Sequence, residues 1–157
     1  MTLTTGLRAD YDIAVDKPPR VVTFLGDDVS ADSAPAFVRV RGRDLREVAQ
    51  RAATAREQHP DVDVLVDIDV MIAPTAPAAR ELLASVTSCQ SSDTLLYVGT
   101  PAGLAGLVSD LHALGIADGA VLLPLLPVVI ELIEKVVLPH LNSLGVNRFG
   151  LHESQSA

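Results

Sequence analysis

Three arginines, Arg39, Arg41 and Arg43, stand at alternate positions around Gly42 in the stretch RVRGR. This stretch closes the apolar run AFVRV and opens a run of helix formers. It is therefore read as the carboxyl end of a strand entering a helix, where α/β folds collect ligands and where a helix start favours negative charge. Arg41, Gly42 and Arg43 are thus the chain's anion-binding candidates. The competing reading has surface arginines paired with Asp27, Asp28 or Asp44, since exposed ion pairs are common and contribute little.

The second candidate is DVDVLVDIDVMIAP, Asp61 to Pro74. Val62, Val64, Val66, Ile68, Val70 and Ile72 alternate with Asp63, Asp67 and Asp69. Strict alternation predicts a half-buried strand with the three carboxylates on one face. Asp67 and Asp69 would stand ~6.6 Å apart, within reach of one hard cation if further oxygens joined them. A cation would need further ligands, and no neighbouring cluster of carboxylates or histidines supplies them, so no metal site is expected. The row is read instead as a face turned to water or to arginines borne on helices. Three unpaired carboxylates inside a closed barrel would be costly, so the row points to a sheet that does not close. On that reading Asp67→Asn is neutral or slightly stabilising.

Other motifs carry less. VGTPAG has neither the lysine of a phosphate loop nor the third glycine of a dinucleotide fingerprint, and reads as a helix start. His59, His112, His140 and His152 show no ligand spacing, and Cys89 sits in a polar connection without sign of an activated thiolate. No nucleophile elbow or triad is recognisable.

At 157 residues the chain is one domain, long enough to bury a core. A formal charge of −8 argues against a nucleic-acid partner, which requires clustered Lys and Arg. Prolines 124 and 127 break the longest apolar run, so no membrane span is expected. The single cysteine and the lack of a charged-then-apolar leader point to the cytoplasm.

Residues 1–18 read as an arm, 19–150 as the domain and 151–157 as a disordered tail. Strands are expected at Arg20 to Leu25 and Ala36 to Val40. Asp44 then caps a helix with Leu45, Val48, Ala49 and Ala52 inward. After the Asp-rich strand, Thr75 caps a helix carrying Ala79, Leu82, Leu83 and Val86. TLLYVG is a strand or an extended approach to the best-specified helix. That helix has Thr100 at its cap, Pro101 first inside, a stripe of Leu104, Leu107, Val108, Leu111 and Leu114, and Gly115 as its stop. GAVLLP is a buried parallel strand. The last helix, Pro127 to Leu144, offers Val129, Ile133, Val136, Val137, Leu141 and Leu144 to the core, with a kink at Pro139. Alternating strands and helices predict βα units around a parallel sheet.

The segment from Tyr97 to Gly145 resembles the end of the bacterial luciferase-like flavin-dependent monooxygenases, particularly the nitrilotriacetate monooxygenase branch. The resemblance is carried by Gly99-Thr100-Pro101, by Ala117-Asp118-Gly119 before a strand ending at Pro124, and by Val136, Val137, Pro139 and Leu141. It extends upstream to about Asp61. Members of the family fold as TIM barrels of ~250 residues. The resemblance therefore implies an α/β, partial (half) TIM-barrel-like parallel sheet with flanking helices, lacking the front half. A homo-oligomer or a partner chain would complete the barrel. The implied cofactor is FMN, its phosphate met near Gly26, with Arg41, Gly42 and Arg43 as the further candidates for binding it from the reading of the residues, and a flavin reductase as further partner. Flavin-linked oxidation of a small organic substrate would follow only on completion. Where the family often has serines after that first glycine, this chain has Asp27-Asp28, and two carboxylates repel a phosphate dianion. The alternative is a non-catalytic remnant that binds a partner chain or a small anion.

Overall fold

The computed structural model describes residues 18–23, 37–86 and 93–149. The arm through Lys17, the Gly26-Asp27-Asp28 turn, Cys89 and the C-terminal tail with His152 lie outside the described residues. Five strands form one parallel sheet: β1 (Arg20–Thr23), β2 (Phe37–Val40), β3 (Asp63–Ile72), β4 (Leu95–Gly99) and β5 (Gly119–Pro124). Helices alternate with them: α1 (Leu45–Gln58), α2 (Ala76–Ser85) and α3 (Pro101–Ala113). After β5 come α4 (Pro127–Leu132), a π turn (Ile133–Val137) and α5 (Leu138–Phe149). The sheet is parallel, flanked by helices and open, as a partial barrel requires.

Spatial order is β1-β5-β3-β2, which the alternation of elements in the chain does not specify. The ten-residue β3 is the central strand. One of its edges pairs with β5 from Leu65 to Val70. The other edge is shared end to end, by β2 from Asp63 to Val66 and by β4 from Ile68 to Ile72. Both must lie opposite β5, because each overlaps the stretch of β3 that β5 already occupies. Only Asp67 falls between them.

The even-numbered valines and isoleucines of β3 behave as their alternation demands. Val64, Val66, Ile68, Val70 and Ile72 join one hydrophobic cluster with side chains of α1 (Val48, Ala52, Ala55) and α3 (Leu104, Val108, Leu111). Val129, Ile133, Val137 and Leu141 complete it from the C-terminal helices. Burying an aliphatic side chain of this size contributes about 1.5–3 kcal/mol, so this cluster dominates the stability of the fold.

Helix starts follow their sequence signals. Asp44 accepts a hydrogen bond from Glu47 N, Thr75 from Ala78 N, and Thr100 from Gly103 N. Gly115 ends the α3 turn at φ 73°, a conformation that disfavours a side chain. Four expected inward positions face out. Leu45, the first residue of α1, and Leu114, just past the end of α3, are 48% and 74% exposed. Val136 is also exposed, and Ala49 is only partly covered, while Ala55, six residues on, is buried. The kink expected at Pro139 takes the form of a π turn just before it, with Leu138 N–H reaching back to Ile133 O. Widening the turn is one way to accommodate a residue that cannot donate and that crowds the carbonyl four residues back.

Candidate functional site

The odd-numbered face of β3 carries the candidate site. Leu65, Asp67 and Asp69 of this face and Val121 of β5, in register with Asp67, are buried, and none of the four belongs to the helix-packed cluster. Asp67 is 0% exposed, which corrects the expectation of a wet face. A carboxylate so enclosed must be paired, since an isolated buried charge would neutralise or destabilise the fold.

Its partners come from β2 and the residue after it, not from helices. Arg39 forks onto the carboxylate, Nε donating to Oδ1 at 2.8 Å and Nη2 to Oδ2 at 2.9 Å. Arg41 donates its Nε to Oδ2 at 2.7 Å. Two guanidiniums thus hold one carboxylate through three charge-assisted hydrogen bonds, the stronger class of such contacts. Asp67, first through this hydrogen bond and then through its charge, raises the pKa of Arg41 above its ordinary value; Asp93 and Asp69 add to the effect. At the amino end of the same face Arg20 reaches Asp63 at 3.1 Å and lies 5.0 Å from the ring centre of Phe37, a cation–π contact. The face therefore carries arginines from β1, from β2 and from just past β2, set against aspartates of the central strand.

Each predicted residue among those described has a definite place. Arg41 follows β2 directly, yet β2 ends beside Val66, halfway up β3. Its carboxyl end consequently abuts the start of β4 instead of opening at the rim formed by the ends of β3, β4 and β5. Arg43 turns away to pair with Glu47 at 3.3 Å on α1, and is exposed. Gly42 serves close packing: a Cβ there would come within 2.7 Å of Val48 N and 2.8 Å of Val48 Cγ2. Gly26 lies outside the described residues. The structure therefore brings Arg39 and Arg41 together on Asp67 and separates them from Arg43.

Sequence reasoning missed Asp67 as the arginines' partner, looking to Asp27, Asp28 and Asp44. The signal was present: arginines two apart on one strand and aspartates on a neighbouring one invite cross-strand pairing. Asp118 was also missed as an anchor. Its carboxylate accepts from Val64 N at 2.8 Å and faces Arg56 at 3.5 Å, while its backbone N–H donates to Val64 O. The two contacts with Val64 tie the start of β5 to the start of β3, and the third reaches α1, giving Ala117-Asp118-Gly119 a structural role.

Chemically, the arrangement clamps strands together. Arg41 remains 48% exposed at its side chain, so it is the member of the cluster most open to an outside anion. Among the described residues, no three His, Cys, Asp or Glu side chains gather as a set of metal ligands. No described helix is long and apolar enough to cross a membrane. The chain matches no family model, and no curated protein is significantly similar to it.

Proposed function

We propose that this chain is a partial-barrel α/β module that works by association, its open sheet completed by a second copy or by a partner chain. The observation that carries the proposal is the ionic clamp. Arg39 and Arg41 are engaged by Asp67, so a dianionic phosphate at this turn must compete with a buried carboxylate already held by three hydrogen bonds. The open sheet supports the same reading, because uncovered sheet edges are surfaces that proteins ordinarily pair or protect. The flavin-dependent monooxygenase activity that the resemblance implies, with FMN near Gly26, Arg41, Gly42 and Arg43 and a flavin reductase as supplier, belongs to the completed assembly. It is not assigned to the single chain.

Sedimentation velocity over a concentration series, with and without oxidised FMN, tests this. The expected result is a species larger than one chain, with flavin fluorescence unchanged at concentrations where the chain is a single copy. A strictly monomeric chain that quenches FMN at micromolar concentration would overturn the proposal.

A further inference from the structure

Between α1 and the outer edge of β2 runs an open groove of about 340 Å³. Val38, Val40 and Ala55 form its apolar floor. Gln50, Thr54 and Gln58, spaced four residues apart along α1, give it amide and hydroxyl groups, and Arg51 gives it charge, while Arg39 lines it with its guanidinium held by Asp67. Among the described residues no carboxylate lines it, although the chain as a whole carries −8. The strand beside it pairs with β3 on one side and, among the described residues, with no strand on the other.

We propose that this groove receives an extended acidic segment of another protein, added as a further strand along β2. The inference rests on the association reading above and names the surface and the kind of partner. Strand addition to a sheet edge draws its affinity from main-chain hydrogen bonds and its selectivity from pockets that take alternate side chains. The apolar floor suits alternate aliphatic residues, and the rim suits carboxylates between them. Arg51 is 52% exposed and bound only by Glu47 on its own helix and by the carbonyl of Arg41. Exposed pairs within a helix are weak, so Arg51 can turn toward an incoming carboxylate at little cost. The charge of Arg51 disfavours a second copy here: two β2 edges laid side by side would bring Arg51 of each toward that of the other. An acidic segment meets no such repulsion.

The test uses the full chain and a fluorescein-labelled heptapeptide of alternating valine and glutamate, with a lysine-for-glutamate twin. Fluorescence anisotropy gives affinity, and amide shifts in an isotope-labelled protein give location. The acidic peptide is expected to bind and to shift the amides of residues 37–40 and 50–58. It should lose about tenfold in affinity in Arg51→Glu and less in Arg51→Gln. Arg80→Glu, on the exposed side of α2, should leave binding unchanged. Circular dichroism verifies that each variant is folded. Equal binding of the lysine twin, binding indifferent to Arg51→Glu, or amides of 37–40 that do not move would overturn the inference. Sedimentation separates the two readings. Self-association that survives Arg51→Glu, without peptide binding, removes this inference and leaves association standing. Self-association abolished by Arg51→Glu makes the groove an interface between copies, and the acidic partner falls. A monomer that binds no peptide removes this inference and, from the reading above, completion by a second copy.

Discussion

Arg41 donates to Asp67 at 2.7 Å in the gap where β2 has stopped and β4 has not yet begun. Val40 pairs with Val66 and Leu95 with Ile68, so Asp67 is the one position of β3 between Asp63 and Ile72 at which that edge has no strand alongside. Arg41, the first residue past β2, fills the junction with a guanidinium. The two short strands thereby act as one long neighbour of β3, joined across the seam by a charge pair.

Asp67→Asn removes the charge that holds both arginines. Breaking a buried pair costs about 3–5 kcal/mol when the remaining charge stays enclosed. Here the arginines are partly exposed and can turn to water, so a loss of about 2–3 kcal/mol is expected, a fall in Tm of about 4–10 °C. This reverses the neutral outcome that a wet strand face implies. Asp61→Asn, at an exposed position before the strand, should change stability by less than about 0.5 kcal/mol. Urea denaturation of both variants decides between the two accounts.

Gly42→Ala should destabilise by about 1–3 kcal/mol, because the added methyl meets the backbone of Val48, which cannot move without shifting the first turn of α1. Gly106→Ala is the matched opposite. Its Cβ meets nothing within 4 Å in the middle of α3, so the gain in helix propensity, about 1 kcal/mol, should appear as added stability. Paired thermal melts read both signs.

Thr100→Ala removes the oxygen that accepts from Gly103 N at 3.2 Å. Loss of an N-cap typically costs about 1 kcal/mol. Thr100→Ser should restore most of it, since the hydroxyl and not the methyl does the capping. Amide exchange of Gly103, faster in the alanine variant and protected again in the serine one, is the site-specific measurement.

Glu131 is held below the usual carboxylate value by the hydrogen bond from Lys135 and then by its charge. Lys135 is raised by the same contact. A carboxyl with a depressed folded-state pKa contributes stability above its unfolded value and loses it as pH falls through the folded one. Both side chains are solvent-exposed, so the effect on stability is small. The titration itself is the readout: in Lys135→Gln the Glu131 carboxyl should titrate at higher pH, followed by carbon NMR.

Local chemistry was legible in the amino-acid sequence because it depends on neighbours a few residues apart. The caps at Asp44, Thr75 and Thr100, the stop at Gly115 and the burial of GAVLLP follow from side chains acting within one turn or one strand. The period of Asp63 to Ile72 likewise set which residues share a face. What covers each face is a different matter. The aspartate row reads as wet when taken alone, and only the placement of β2 against the lower half of β3 brings Arg39 and Arg41 onto Asp67. Strand order is a long-range choice, made by the summed burial of helices and strands far apart in the chain. No period or cap encodes it, so the partner of every charge on that face was decided by tertiary structure alone.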